Sequence, residues 1–361
     1  MRVGRFVPPA IRPQPLDEEM LERLTGKHWA YVSSGKAAIY HCLRAMQVSG
    51  PIAVPVYACA SVLVPIRALG LEPVFVDVDP VDLNLSFESF VSLAEQQKVG
   101  ALIAPSLYGN PADLGRFEKF CREQGIFMID DAAQSFGARL DGRCVGTFGD
   151  AGFFSFSPGK ATAGHAGGFF WTREPYRFKR SAHPLIHRIK WWNFYWSRLK
   201  FYDTQSYGWL FRPIEILSNR LDKPSLWCDQ VESFERPLLG GILHSLLNEQ
   251  YAFRSEWHAR FSRLLASTKA IRLIQAERGI AHPHKLVMVV DTPSMAVSFR
   301  KFFERSSIFS AMGYSPLIDS KVFPGATDIS DRVVELAIDE DGRRMEFQCH
   351  ILEKFIELSG Q

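Results

Sequence analysis

Five short, continuous apolar runs mark the first half of the chain, at 52–56, 73–78, 100–104, 126–130 and 151–156. Between them lie stretches whose apolar and polar positions follow helical spacing, Phe117 to Glu123 among them. Runs of this length, apolar at successive positions, are what strands buried on both faces require. Strand and helix in alternation predict an α/β fold, with a mostly parallel central sheet flanked by helices. Upstream, Leu16, Met20, Leu21 and Leu24 are spaced for one face of a short helix that opens at Pro15-Leu16-Asp17 and stops near Gly26. Downstream, the Arg236–Leu265 region reads as helix, and 285–291 and 333–338 read as strands between helices. The pattern predicts a large domain over 1–235 and a smaller C-terminal α/β domain over 236–361. It contains no internal repeat and no low-complexity tract.

At 361 residues the chain is long enough to bury a sizeable core. Its 42 basic and 39 acidic residues leave a net charge of +3, which does not mark a nucleic-acid binder. Six cysteines (Cys42, Cys59, Cys121, Cys144, Cys228 and Cys349) are scattered without CxxC spacing. That distribution predicts reduced thiols and a cytoplasmic protein, with neither a disulfide framework nor a zinc site. The first residues lack the apolar core of a signal peptide, and no stretch is long and apolar enough to span a bilayer.

One segment departs from this even balance. Between Arg173 and Arg212 nine basic residues face only Glu174 and Asp203, and the segment holds Trp191, Trp192, Phe194, Tyr195, Trp196, Phe201 and Tyr202. Such a mixture suits a membrane surface or a nucleotide, and a membrane contact through 188–202 would bring a lipid-linked sugar close. The plainer reading, aromatics packed on the sheet or a partner subunit with the charges left wet, carries more weight.

Candidate chemistry sits at the ends of two of the runs. Ile126-Phe127-Met128-Ile129 delivers Asp130-Asp131-Ala132-Ala133-Gln134, and Gly152-Phe153-Phe154-Ser155-Phe156 leads through Ser157-Pro158-Gly159 to Lys160. In an open α/β sheet both strand ends reach the same crevice. A lysine amine that forms a Schiff base and a carboxylate that keeps a pyridine nitrogen protonated are what a pyridoxal 5'-phosphate (PLP) site requires. A third corner is Val32-Ser33-Ser34-Gly35-Lys36, where Ser34 caps a helix and Gly35 lets its backbone approach a phosphate. Taken singly, each piece has an ordinary explanation. An Asp-Asp pair also caps helices or binds Mg²⁺, a lone lysine is most often solvated, and strand-end serines often serve only the backbone. Cys59 alone is more often a small buried hydrophobe, and His165, close to Lys160, is more often structural. His282 and His284 flank Pro283 without amounting to a metal site. It is the ordered set that points to a cofactor.

These segments together resemble the DegT–StrS family of PLP-dependent sugar aminotransferases, over roughly residues 30–170. The resemblance is carried by Ser34-Gly35, Val54-Pro55-Val56-Tyr57, Gly70 to Asp79, Leu107 to Asp113, Asp131-Ala132-Ala133-Gln134, Gly146 to Asp150, Ser155-Phe156, Lys160 and Gly167-Gly168. It implies the PLP-dependent transferase fold type I and a homodimer with its sites at the interface. It implies that Lys160 attaches the cofactor and shuttles protons, that Asp131 pairs with the pyridine nitrogen, and that Gln134 meets the ring hydroxyl side. Ser155 would bind the phosphate with Ser34, Gly35 and Lys36. The family's related dehydratases carry His in place of the lysine, so Lys160 argues for transamination.

Several positions depart from the family pattern. Lys36 stands where Thr is usual and would meet the phosphate as a point charge. Cys59 occupies the position of an aromatic that stacks on the cofactor, a task Tyr57 is placed to take over. Ala161 and Ala166 replace an Asn and a Glu. With Arg236 marking the helix that follows a partner-subunit Asn, that position holds Phe234. The implied activity is transfer of an amino group from an amino acid such as glutamate to a keto-sugar, nucleotide-linked, in cell-surface polysaccharide or secondary-metabolite biosynthesis. Two other classes fit the same residues: a fold-type-I PLP enzyme of different reaction, and an inactive, regulatory PLP-binding paralogue.

Overall fold

Each of the five apolar runs forms a strand where the pattern places it. The computed structural model describes residues 18–156, 160, 167–174, 250–339 and 341–359. The first part of the chain builds α1 (Glu18–Thr25), β1 (Ala30–Val32), α2 (Gly35–Ala45), β2 (Ile52–Pro55), α3 (Leu63–Ala68), β3 (Pro73–Val76), α4 (Phe87–Gln96) and β4 (Ala101–Pro105). It continues with α5 (Leu114–Gln124), β5 (Phe127–Asp131), a small hairpin of β6 (Arg139–Leu140) and β7 (Arg143–Cys144), β8 (Ala151–Ser155) and β9 (Gly168–Thr172). Seven strands share one sheet in the order β1-β9-β8-β5-β4-β2-β3. All but β9 run the same way; β9 is antiparallel to both β8 and β1.

Consecutive residues of these strands go to opposite faces, and both faces are covered. Ala53, Leu102 and Met128 pack with Leu21, Phe90 and Phe117 of the helices on one side. Val54, Ile103 and Ile129 pack with Ala38, Cys42 and Ile66 on the other. Two dry faces explain why the runs are apolar throughout rather than alternating. The winding changes side at β2, with β3 laid against one edge and β4 against the other. At such a switch point a crevice opens beyond the carboxyl ends of the strands.

The later residues form α6 (Tyr251–Leu265), β10 (Ile271–Leu273), β11 (Lys285–Val290), α7 (Pro293–Arg305), β12 (Ser310–Met312), α8 (Pro324–Ile329), β13 (Val333–Ala337) and α9 (Gly342–Leu358). Their four strands make a separate antiparallel sheet, β10-β11-β13-β12. Leu286, Met288, Val334 and Leu336 bury one face against Phe261, Phe299, Phe303 and Leu352 of the helices. Val287, Val289 and Val333 turn the other way, onto Val56, Tyr57, Val78, Leu107 and Tyr108 of the large sheet's loops.

Polar clamps fix this junction. The buried Asp77 carboxylate accepts the N–H groups of Gly325 and Ala326, both at 2.8 Å, at the start of α8. Gly325 is required there, because a Cβ would lie 1.9 Å from the Val78 carbonyl oxygen. Arg272 donates to the carbonyls of Val81 and Pro80, each at 2.6 Å. His282 Nδ1 lies 2.5 Å from the Phe136 carbonyl oxygen.

Of the expected helical region 236–265, residues 236–249 lie outside the described residues. So do His165, Ala161, Ala166, Phe234 and, apart from 173 and 174, the basic aromatic segment 173–212 with its 188–202 stretch. Among the described residues no helix is long and apolar enough to cross a membrane, and no group of three His, Cys, Asp or Glu could hold a metal.

One buried base couples this packing to pH. His41 of α2 stacks on Phe170 of β9, with ring centroids 5.6 Å apart. Burial, reinforced by Arg44, pushes it down from 6.5 to about 4. A base depressed in the folded state contributes stability that is present above pH 6.5 and lost as pH falls through 4. Each pH unit within that window is worth up to about 1.4 kcal/mol. His41→Phe keeps the stacked ring and removes the titration. Urea unfolding at pH 7 and pH 4.5 is expected to show the variant losing on the order of 2 kcal/mol less than the parent on acidification. Equal losses in the two proteins would rule the assignment out.

Candidate active site

Strand ends from the parallel core converge on one cavity of about 650 Å³. Pro55 closes β2, Pro105 and Ser106 close β4, Asp131 closes β5 and Ser155 closes β8; all line the cavity with Lys160. The N-terminus of α2 supplies Ser34, Gly35 and Lys36 from the side. Ser34 caps that helix, its Oγ accepting the Ala37 N–H at 3.1 Å. Gly35 sits so close to β8 that a Cβ would meet Ser155 Oγ at 3.0 Å. The missing side chain therefore brings the end of a helix beside a hydroxyl, the combination that holds an anion. Gly167 locks the loop from behind, its N–H donating to the Ser33 carbonyl at 3.0 Å.

The two acids of Asp130-Asp131 face different ways, as alternation along β5 dictates. Asp130 is fully buried, and its Oδ2 accepts the N–H groups of Gly146 (2.6 Å) and Phe148 (3.0 Å). It shapes the 146–149 turn. Burial pushes its carboxyl up to about 8 against those two bonds. Asp131 lines the cavity and accepts the Ala133 N–H at 3.0 Å. Burial raises its carboxyl too, while that N–H and the Lys160 charge oppose the shift. Lys160 is lowered, first by burial and then by Lys285, against the opposing pull of Cys59, Asp131 and Glu335. An amine held below its usual range, opposite a carboxylate that gains from a cationic partner, suits attachment of a carbonyl compound with a basic ring nitrogen.

Gln134 is spanned by two bonds. Its Oε1 accepts the Tyr108 N–H at 3.3 Å, and its Nε2 donates to Tyr314 Oη at 2.9 Å. Tyr108 holds a left-handed backbone (φ 58°) to make that approach. Cys59 lines the wall, its Sγ 3.0 Å from Ser61 Oγ. Tyr57 does not take the ring-face position expected of it. It is 0% exposed, shares a 3.0 Å hydrogen bond with the Tyr108 hydroxyl and accepts the Tyr314 N–H at 3.1 Å. The chain bends out of β2 after Pro55, which sends Tyr57 into the junction between the sheets and leaves Cys59 at the cavity.

The small sheet and its loops bring further side chains to the cavity that the motifs do not predict, among them Lys285 on β11, Glu335 on β13 and Tyr314. Lys285 and Glu335 carry a signal, a lone charge in each of the otherwise apolar runs Lys285–Val290 and Val333–Ala337. Tyr314 carries none.

A model of the DegT/DnrJ/EryC1/StrS aminotransferase family matches residues 12–201. GDP-perosamine synthase of Escherichia coli O157:H7 is 29% identical over 49% of this chain and 50% of its own length. A UDP-N-acetyl-3-dehydro-alpha-D-glucosamine 3-aminotransferase of Acidithiobacillus ferrooxidans is 35% identical over 37% of this chain and 36% of its own. At lower identity, 23%, a dTDP-4-dehydro-2,3,6-trideoxy-D-glucose 4-aminotransferase of Saccharopolyspora spinosa aligns with 85% of this chain and 78% of its own length. The chain thus spans about half the length, or less, of the first of these curated relatives. The aminotransferase TlmJ of Streptoalloteichus hindustanus superposes with a TM-score of 0.72, covering 95% of this chain and 90% of that one at 18% identity. The two-sheet architecture is therefore that of the fold-type-I PLP aminotransferases, and the chain belongs to the DegT/DnrJ/EryC1/StrS aminotransferase family.

Proposed function

We propose that the protein is a PLP-dependent aminotransferase that moves an amino group from an amino acid such as glutamate to a nucleotide-linked keto-sugar, in polysaccharide or secondary-metabolite biosynthesis. The observation that carries this reading is the meeting of Lys160, Asp131, Gln134, Ser155 and Gly35 around one cavity. The named activities of the relatives support the choice of acceptor. We further propose a homodimeric, cytoplasmic enzyme divided near residue 235.

PLP fits the residues present. The cradle between Gly35 and Ser155, which a single Cβ would fill, suits its phosphate, with Ser34 and Lys36 beside it. Asp131 would face the ring nitrogen, Gln134 the ring's hydroxyl edge, and Lys160 the aldehyde. When bound, PLP supplies an electron-withdrawing ring that lets nitrogen pass between substrates. Lys160, freed from attachment, holds and returns the proton at its Nζ in each half reaction. Its lowered basicity suits both tasks.

The test is the absorption spectrum of PLP-loaded protein before and after L-glutamate. A long-wavelength band that bleaches with glutamate is the expected result. A band indifferent to every amino acid, or a protein that stays colourless with added PLP, overturns the reading.

A further inference from the structure

Strand alternation puts two charges beside the valines of one sheet face, at its cavity end; a third, Arg272 of β10, is clamped on the Val81 and Pro80 carbonyls. Lys285 shares its face with Val287 and Val289, and Glu335 shares its own with Val333. That face covers the large sheet except at the end where the cavity opens. There Lys285 Nζ lies 2.6 Å from Glu335 Oε2, with the side chains 22% and 8% exposed. The ammonium also stands 5.9 Å from the centre of the Tyr108 ring. Both residues line the cavity with Lys160 and Asp131.

So dry a pair is costly to desolvate, and apolar residues would continue the face at less cost. What it offers the cavity is specific. Among the described residues its one hydrogen bond engages one ammonium proton and one carboxylate oxygen, leaving two N–H donors and a second oxygen. The pair is neutral overall, so a carboxylate or phosphate drawn to Lys285 meets Glu335 at once. A hydroxyl both donates and accepts, and two adjacent hydroxyls match an ammonium set beside a carboxylate.

We propose that Lys285 and Glu335 form a hydroxyl-recognition subsite that reads the sugar ring of the acceptor, Glu335 accepting from one hydroxyl and Lys285 donating to its neighbour. The proposal deepens the reading above and rests on its assignment of this cavity. It makes the pair a specificity determinant rather than a member of the cofactor site.

Binding to the PLP-loaded full chain tests it without turnover. The probes are UDP-N-acetylglucosamine, GDP-mannose and dTDP-glucose, each against its bare nucleoside diphosphate, by titration calorimetry. The parent is expected to bind at least one sugar conjugate about tenfold more tightly than the bare nucleotide, a gain typical of hydrogen bonds to charged groups. Lys285→Met and Glu335→Gln are expected to lose that gain while binding the bare nucleotide as the parent does. The double variant Lys285→Met/Glu335→Leu keeps an uncharged, packable pair and guards against misfolding. No sugar-dependent gain in the parent, or a gain that survives in all three variants, overturns the proposal. So does a loss that falls equally on the bare nucleotide. Because binding is read apart from the glutamate response, a protein inert to glutamate would sink the aminotransferase reading and leave this result standing on its own.

Discussion

Lys160→Ala is expected to lose at least about 10⁴-fold in transamination and to lose the long-wavelength absorbance of lysine-linked PLP. The size follows from the two tasks proposed for one Nζ, attachment of the cofactor and proton transfer. Among the described residues the cavity holds two other lysines, and neither is placed to stand in. Lys36 sits at the start of α2, beside the cradle between Gly35 and Ser155. Lys285 is tied to Glu335 at 2.6 Å. Stopped-flow absorbance of the variant with glutamate, with and without methylamine, checks the point. Methylamine is expected to restore part of the rate, since it supplies the missing amine. A variant that keeps its band and a rate within tenfold of the parent would mean that another lysine attaches the cofactor.

Asp77→Ala is expected to cost about 3–5 kcal/mol in unfolding free energy, a large effect for a single substitution. Asp77 ends the β3 segment, and its two oxygens accept N–H groups of Gly325 and Ala326 as well as that of Val78. Alanine would strip the start of α8 of its acceptors in a buried place and leave two N–H groups without partners. It would also loosen the small sheet from the large one, so the cavity they share should suffer. Asp77→Asn, which keeps one acceptor oxygen, is expected to lose about 1–2 kcal/mol. Urea unfolding of both variants, read beside their PLP retention, measures the effect. A loss below about 1 kcal/mol for alanine would mean that the junction does not depend on this clamp.

Most of the large sheet was legible because its strands are buried on both faces and therefore stand out as unbroken apolar runs. The short strands were not. Ala30–Val32, Ile271–Leu273 and Ser310–Met312 have three residues each, too few to show a period. β9, Gly168–Thr172, was read only as a glycine pair, and its antiparallel direction depends on a connection that no local pattern encodes. The end of the cavity proposed to hold the cofactor was legible for a different reason. Asp131, Gln134, Ser155, Ser34 and Gly35 lie on strand ends and a helix start, where position along the chain nearly fixes position in space. Tyr57 shows the limit of that logic, since it adjoins Ala58 and Cys59 of the cavity wall and is itself buried in the junction. The opposite wall was harder to read, because the lone charges of Lys285 and Glu335 reveal a cavity only once two sheets dock, and Tyr314 carries no signal at all.

That docking has an evolutionary consequence. The family model stops at residue 201, whereas Lys285, Ala311 to Tyr314 and Glu335 all lie beyond it. The wall predicted to select the acceptor is therefore written in a different stretch of sequence from the wall predicted to hold the cofactor. Drift in the later stretch would redirect what is aminated while leaving the inherited chemistry untouched, and a designer seeking a new acceptor would begin at β11 and β13.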